Sequence, residues 1–230
     1  MNIEPIAYFH SPFTGKFGIP RQSGIVSSLR GEIRFTDRYR NVDAVRGMDG
    51  FDYLWLVWGF SANREQASWQ PVVRPPRLGG NKAMGVFATR SPYRPNPLGL
   101  SSVRIESIDM DCAGAPVIHV LGADLMDGTP IYDIKPYVTY ADSHPEARSG
   151  FVDSKAWTEL KVVVTDEAEA SLARLLPQES VAALRDVLAQ DPRPQYQNDP
   201  GKVYGMAYEG LDVHFRVEED VLTVIDAVRV

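Results

Sequence analysis

Residues 84–102, MGVFATRSPYRPNPLGLSS, combine two apolar runs with a stiff polar loop between them. The first run, residues 84–89, predicts a buried strand, and residues 98–108 predict a second strand. In the loop RSPYRPNP, three prolines fix three backbone φ angles and reduce the entropy that is lost when the loop becomes ordered. The loop is therefore either a stiff surface turn or a scaffold that holds two guanidinium groups, an aromatic ring and an amide in a set geometry.

The same stretch lies in a basic segment of an acidic chain. Residues 66–105 contain no Asp or Glu, whereas the whole chain has a formal net charge of −6. Unless folding disperses these charges, they favour an anion site for a phosphate backbone or a smaller anion. The basic residues of the segment are Arg74, Arg77, Lys82, Arg90, Arg94 and Arg104.

Composition excludes several classes of protein. An apolar content of 44% together with 23% charged residues is typical of a soluble globular protein. No apolar run reaches the roughly 20 residues of a membrane helix, and the N-terminus has no secretory pattern. Because Cys112 is the only cysteine, an intramolecular disulfide is impossible and a cytoplasmic location is expected. The four histidines lack metal-ligand spacing, so no metal is expected.

The pattern of elements divides the chain into two units. Many short strands with Gly- and Pro-rich turns up to about residue 140 predict an antiparallel barrel or sandwich. After a polar linker, one strand, two periodic helices and three strands predict a small α+β unit. We expect a mainly β protein with an N-terminal domain at 1–142, a linker at 143–158 and a C-terminal domain at 159–230. The strands predicted before the linker are 3–9, 25–35, 51–60 (fully buried), 84–89, 98–108, 116–121 and 131–137.

Polar residues alternate along the last of these strands. Asp133, Lys135 and Tyr137 are spaced two residues apart and are predicted to share one face with Ile131. A carboxylate, an ammonium and a phenol on one face form either a chemical constellation or a cross-strand ion pair beside a tyrosine.

Three motifs, in this order, closely resemble the TrmO/TsaA-like family. They are GIPRQSG (18–24), PRLGGNKAMGVFATRSPYRPNPLGLS (76–101) and DGTPIYDIKPY (127–137), with a weaker continuation at DPRP (191–194). Members of the family are S-adenosylmethionine-dependent tRNA methyltransferases that look like a small β-barrel with a C-terminal domain and work as homodimers. The resemblance implies methylation of N6 of threonylcarbamoyladenosine at tRNA position 37, with the anticodon loop as the partner.

The resemblance also assigns residues to roles. Ser61 and Ala62 stand where relatives often carry His-Gln, which limits them to backbone contacts with the cofactor. The other implied cofactor-binding residues are Pro20, Arg21, Gln22, Arg90, Leu100, Asp127, Gly128, Thr129 and Pro130. The expected substrate-binding residues are Arg74, Arg77, Tyr93, Arg94, Asn96, Lys135 and Tyr137.

Chemistry suggests how these groups act. Arg21 or Arg90 is suited to the cofactor carboxylate, and an exposed tyrosine can stack on an unpaired base. Asp133 is the candidate that accepts or orients the N6 proton. The alternatives are a non-catalytic RNA-binding barrel, which would bind RNA but not S-adenosylmethionine, and a methyltransferase acting on a small molecule.

Overall fold

The computed structural model describes residues 2–63, 69–75, 82–154, 158–193, 199 and 201–230. Within these residues, the N-terminal part contains eight strands. They are β1 (Ala7–His10), β2 (Arg30–Phe35), β3 (Tyr53–Gly59), β4 (Val72–Val73), β5 (Met84–Gly85), β6 (Leu98–Asp109), β7 (Val117–Leu121) and β8 (Thr129–Pro136). Six of them close into an antiparallel barrel in the order β1-β2-β7-β6-β3-β8, while β4 and β5 pair separately. The predicted fold class is confirmed, and the architecture is the barrel, not the sandwich.

Strand β3 shows how the sequence fills the barrel. Leu54 and Leu56 are fully buried in the interior beside Ile131 of β8. Tyr53, however, is 43% exposed on the outer face. The prediction of a strand at 51–60 is confirmed, but the prediction that it is fully buried is wrong, because in this barrel the outer face of the strand is not covered.

The alternating strand directions place three long connections at one end of the barrel. Residues 11–29 join β1 to β2, residues 60–97 join β3 to β6, and residues 122–128 join β7 to β8. We call this the loop end. It gathers segments that are far apart in sequence, including most of the positions predicted to bind cofactor or substrate.

The C-terminal part is an α+β unit. After the short helix α1 (Thr139–Asp142), its elements are β9 (Lys161–Val164), α2 (Asp166–Leu175), α3 (Gln178–Ala189), β10 (Tyr204–Tyr208), β11 (Leu211–Glu218) and β12 (Val221–Arg229). The sheet order is β10-β11-β12-β9, with β9 parallel to β12. Thr165 caps the N-terminus of helix α2, and its hydroxyl accepts a hydrogen bond from Ala168 N at 3.2 Å.

The loop at 11–29 belongs structurally to both units. Phe13, Val26 and Leu29 are buried in the core of the C-terminal unit. Phe13 packs edge-on against Tyr208 of β10, with ring centroids 5.5 Å apart. The prediction of a strand beginning at residue 25 is therefore wrong as far as Leu29, because these apolar side chains are buried by the C-terminal core and not by the barrel.

The predicted strand at 84–89 is also mostly wrong. Only Met84–Gly85 pairs as a strand, and Val86–Ala88 forms a single 3₁₀ turn. The hydroxyl of Thr89 donates to Val86 O at 2.8 Å and closes this turn. Val86 is buried while Phe87 is exposed, so the apolar run changes direction where a strand would continue.

Two further expectations concern the limits of the units and the membrane. The domain division around the linker at 143–158 stays a prediction, and residues 155–157 lie outside the described residues. In the described part of the chain, no helix has the length and apolar character needed to cross a bilayer.

Candidate functional site at the loop end of the barrel

The loop end brings together residues that are 68 positions apart. Arg90, at the start of the proline-rich loop, donates from Nη1 to Oε1 of Gln22. The backbone of the loop at 11–29, which carries Gln22, is fixed by a hydrogen bond from Gly24 N to Gly122 O at 2.8 Å. Two of the predicted cofactor-binding segments, 20–22 and the one containing Arg90, are therefore in direct contact.

The third predicted segment, the turn at 127–130, is locked against β1 and the same loop. Asp127 Oδ1 accepts from Ser11 N at 3.1 Å and lies 3.4 Å from His10 Nδ1. Gly128 N donates to Phe9 O at 2.8 Å. Gly128 has φ of +73°, a left-handed conformation that favours glycine. The Asp127 carboxylate thus helps to hold the turn in place, and Pro130 follows at the start of β8.

A groove of about 380 Å³ opens beside this turn. It joins predicted cofactor positions Ser61 and Pro130 to the predicted substrate position Asn96. Its floor requires Gly59, because a Cβ there would lie 2.8 Å from the ring of Tyr132. We call it the rim groove; its lining residues are Ile3, Gly59, Phe60, Ser61, Asn96, Pro97, Leu98, Pro130 and Tyr132.

A second cavity of about 430 Å³ is lined by residues of both units, including Arg30 of β2. Four carboxylate side chains line it: Glu32, Glu106, Asp127 and Glu209. An acidic lining repels an anionic nucleic acid, so the rim groove is the better candidate for the site.

The predicted face on β8 is only partly confirmed. In the pairing with β3, Val57 lies opposite Asp133 and Trp58 lies opposite Ile131, so Tyr132 is an extra residue in a β-bulge. Ile131 is fully buried in the barrel core, whereas Asp133 and Lys135 lie on the outer face, with Lys135 Nζ 2.9 Å from Asp133 Oδ2. The prediction that Ile131 shares their face is wrong, because the bulge interrupts the period-two alternation.

Tyr137 does lie on the outer face with Asp133 and Lys135, but far from the rim groove. Its ring packs against Tyr53 and Trp55 of β3, at centroid distances of 6.0 and 5.7 Å. At about 3.3 Å per residue along β8, Tyr137 lies on the order of 20 Å from Pro130 and Asp133 about 10 Å. Within one chain, therefore, Tyr137 is remote from the loop end and Asp133 is close to it.

The basic residues that the structure describes lie in different local settings. Arg94 is engaged by its own loop, since its Nη1 donates to Thr89 O at 3.0 Å and to Ser91 O at 3.4 Å. Arg104 projects from the outer face of β6 opposite Tyr53. Arg74 is exposed between β4 and β5, and Arg77 lies outside the described residues.

Three other predicted positions are accessible. Tyr93 is exposed in the proline-rich loop, and Leu100 is exposed on the outer face of β6. Ala62 is exposed next to Ser61 in the segment that follows β3. Thr129, in contrast, is buried, and its backbone N donates to Met126 O at 3.2 Å in the turn.

Asp124 lies at the loop end although no sequence motif marks it as a site residue. Its Oδ1 accepts a hydrogen bond from Ser101 Oγ at 2.5 Å, and that hydroxyl oxygen accepts from Trp58 Nε1 at 3.0 Å. Burial raises the pKa of the Asp124 carboxyl, while hydrogen bonds from Ser101 and from the Ser23 backbone, and the nearby charge of Arg90, oppose the increase. No local pattern marks this aspartate, because its neighbours come from three distant segments.

The arrangement is suited to binding an organic ligand. Over the described residues, no group of three or more His, Cys, Asp or Glu side chains is placed to hold a metal. The loop end offers a guanidinium at Arg90, a carboxylate at Asp127, and the apolar walls of the rim groove. These groups match the carboxylate, the ammonium and the ring system of S-adenosylmethionine.

Comparisons with known proteins cover nearly the whole chain. The family described as tRNA-methyltransferase O N-terminal domain matches residues 8–143, and the TrmO C-terminal domain matches residues 158–230. The chain is 44% identical over 222 residues to a tRNA (adenine(37)-N6)-methyltransferase of Escherichia coli (strain K12), covering 94% of this chain and 93% of the relative. It is 38% identical over 230 residues to a putative S-adenosylmethionine-dependent methyltransferase, RcsF, of Pseudomonas aeruginosa, covering 98% and 96%.

A solved structure has the same architecture. The crystal structure of TrmO from Pseudomonas aeruginosa superposes with a TM-score of 0.80 at 32% identity, covering 99% of this chain and 98% of that chain. The similarity therefore extends over both the barrel and the C-terminal unit.

Proposed function

Because this chain belongs to the tRNA-methyltransferase O family, we propose that it transfers a methyl group from S-adenosylmethionine to N6 of the adenine at position 37 of tRNA. The observation that carries the proposal is the 44% identity to a tRNA (adenine(37)-N6)-methyltransferase over nearly the full length of both chains. The barrel supports this proposal, because the three loops that carry most of the predicted donor-binding residues meet at one end of it. We further propose that the acceptor adenine carries the threonylcarbamoyl group.

The chain's own residues would hold the methyl donor at the loop end. Arg90, positioned by Gln22, is suited to bind the donor carboxylate, together with Arg21 of the same loop. The rim groove, with Pro130 and the backbone of Ser61 on its walls, is suited to the adenine ring. S-adenosylmethionine supplies a methyl group that is activated by attachment to a sulfonium.

The acceptor nitrogen must lose a proton during the transfer. N6 forms a bond to the methyl carbon, the carbon–sulfur bond breaks with its electron pair remaining on sulfur, and the N6 proton leaves. A carbamoyl group delocalises the N6 lone pair, so proton removal has to accompany the transfer. We assign the proton to Asp133, whose carboxylate lies on the outer face of β8 paired with Lys135 at 2.9 Å.

The proposed RNA contacts lie around the same barrel end and on β8. Arg74 and Arg94 supply positive charge for anticodon-loop phosphates, and Tyr93 is exposed for stacking on an unpaired base. Asn96 lines the rim groove, where its amide is suited to a base edge. Tyr137, on the order of 20 Å from the groove by strand length, is suited to a more distant nucleotide.

We also propose that the protein is a cytoplasmic homodimer. The outer face of β6 supports a dimer, because Leu98 and Leu100 are 37% and 56% exposed and project side by side from it. Sedimentation equilibrium should give twice the 25.6 kDa mass of one chain. A mass of one chain at micromolar concentration would rule out the dimer.

The activity is tested with labelled S-adenosylmethionine and two tRNA pools, one with and one without threonylcarbamoyladenosine, followed by mass analysis of the digested nucleosides. Methyl incorporation only in the modified pool is the expected result. Transfer to the unmodified pool would refute the proposed acceptor. Salt-dependent RNA binding without binding of S-adenosylmethionine would point to the non-catalytic RNA-binding barrel.

The role of Asp133 is tested by Asp133→Asn. Loss of a proton acceptor should lower kcat by about a hundredfold or more while leaving the affinity for S-adenosylmethionine unchanged. Asp220→Asn, at an exposed turn between β11 and β12, is the matched control and should keep parental turnover. Full turnover in Asp133→Asn would remove Asp133 from the mechanism.

A further inference from the structure

Asp124 lies at the junction of every segment that builds the loop end. Its carboxylate accepts from the hydroxyl of Ser101, which adjoins Leu100 on β6. Two residues before Asp124, Gly122 O accepts from Gly24 N at 2.8 Å, in the loop that carries Gln22. The guanidinium of Arg90 is near enough to act on its charge. The turn that begins at Asp127 follows three residues later. The segment that contains Asp124 therefore ties β6 to the loop at 11–29 and leads into the turn at 127–130.

The Asp124 carboxylate is itself held from inside the barrel. Ser101 is buried, and its hydroxyl receives the indole N–H of Trp58 while donating to Asp124. The hydroxyl is thus oriented by the indole and can present its proton only to the carboxylate. This chain of hydrogen bonds fixes the position of Asp124 relative to the barrel wall.

Such a carboxylate is unfavourable for folding. Burial raises the pKa of Asp124 above its ordinary value of 3.8, so the folded state favours the protonated form more than the unfolded state does. As pH rises through the folded pKa, the ionised group therefore lowers stability relative to a neutral side chain of the same shape. A fold that keeps an acid at such a position points to a functional reason.

We propose that Asp124 is a positioning residue of the donor site. Its hydrogen bond with Ser101 fixes the segment that holds the loop at 11–29 through Gly122, so that Gln22 and Arg90 meet in the geometry that binds the donor carboxylate. The inference rests on the proposed function, since it assumes that the loop end binds S-adenosylmethionine. It assigns Asp124 a role through other residues, without contact to the reacting atoms.

The test is Asp124→Asn, which preserves shape and removes the charge. Calorimetric titration should show an increase of about ten- to a hundredfold in the Kd for S-adenosylmethionine, the range expected when hydrogen bonds to a charged group are lost. Steady-state kinetics should show a higher KM for the donor with kcat nearly unchanged. The Tm of the variant should be equal to or above that of the parent protein, because the buried charge is removed.

Asp109→Asn is the matched control. Asp109 Oδ1 accepts from Asp111 N and Cys112 N, both at 3.0 Å, in the turn after β6, and these bonds lower the pKa of Asp109. This variant should lower Tm and leave the donor Kd unchanged. Asp109→Asn should thus lower stability without changing donor affinity, whereas Asp124→Asn should lower donor affinity without lowering stability.

Two results would overturn the proposal. One is a parental donor Kd in Asp124→Asn. The other is a weaker Kd accompanied by a fall in Tm like that of Asp109→Asn, which would show that Asp124 only stabilises the fold. If the parent protein binds the donor but methylates no tRNA, the proposed function fails. The ratio of the donor Kd of Asp124→Asn to that of the parent protein still decides the role of Asp124.

Discussion

Phe13 connects the stability of the C-terminal unit to the geometry of the donor site. It is fully buried, it belongs to the loop at 11–29, and its ring packs edge-on against Tyr208 of β10. The same loop carries Pro20, Arg21 and Gln22 toward Arg90. Phe13→Ala should therefore weaken the fold and, in addition, loosen the loop that holds the proposed donor-binding residues.

The magnitude follows from burial. Truncating a fully buried Phe to Ala costs about 3–5 kcal/mol, and the edge-to-face contact with Tyr208 places Phe13 toward the upper part of that range. A protein of this size loses roughly 2–4 °C of Tm for each kcal/mol, so Tm should fall by about 10 °C or more. The total stability of a typical domain, about 5–15 kcal/mol, leaves the variant mostly folded at low temperature.

The assay combines urea unfolding with calorimetric titration of S-adenosylmethionine at a temperature at which the variant is folded. Leu222→Ala is the control, because Leu222 is fully buried in the same core but lies on β12. It should cost about 2–5 kcal/mol without changing the donor Kd. Phe13→Ala should weaken both stability and donor binding.

A parental donor Kd in destabilised, folded Phe13→Ala would refute the reasoning, since it would show that docking of the loop in the C-terminal core does not position the donor site. An equal loss of affinity in Leu222→Ala would refute it in another way, because the effect would then belong to global stability.

Two further predictions concern stability. The hydrogen bond from His214 to Asp226, together with the charges of Asp226 and Asp212, raises the pKa of His214 above its ordinary 6.5. The stabilisation that protonated His214 gives the fold is therefore full below pH 6.5 and is lost as pH rises through the pKa of the folded state. Urea unfolding across pH 5 to 9 should show this loss in the parent protein, and His214→Gln should abolish it; equal pH profiles would contradict the assignment. Gly99→Ala should cost about 1–3 kcal/mol in urea unfolding, because a Cβ there would lie 2.2 Å from the Trp58 indole, and unchanged stability would show that the indole shifts freely.

Much of the barrel could be predicted from local patterns. The strand predictions at 51–60, from a dense apolar run, and at 98–108, from a rough alternation of apolar and polar residues, match β3 and β6 closely. The strand predictions were wrong at 25–29 and 86–88. Val26 and Leu29 are buried in the core of the C-terminal unit, and Val86 is buried within a 3₁₀ turn. Such contacts depend on distant partners, which a window of neighbouring residues does not contain.

The same division applies to the site. The family resemblance carried by the motifs predicts that Gln22, Arg90 and Pro130 act in one site, and the sequence by itself determined the family through the order and identity of those motifs. Only the tertiary structure decided that a bulge at Tyr132 separates Ile131 from Asp133, and that Asp124 stands among three loops that meet at one barrel end. The physical reason is that motif residues carry their chemistry in their type and spacing, whereas the surroundings of a buried carboxylate exist only once barrel closure has brought the strand ends together.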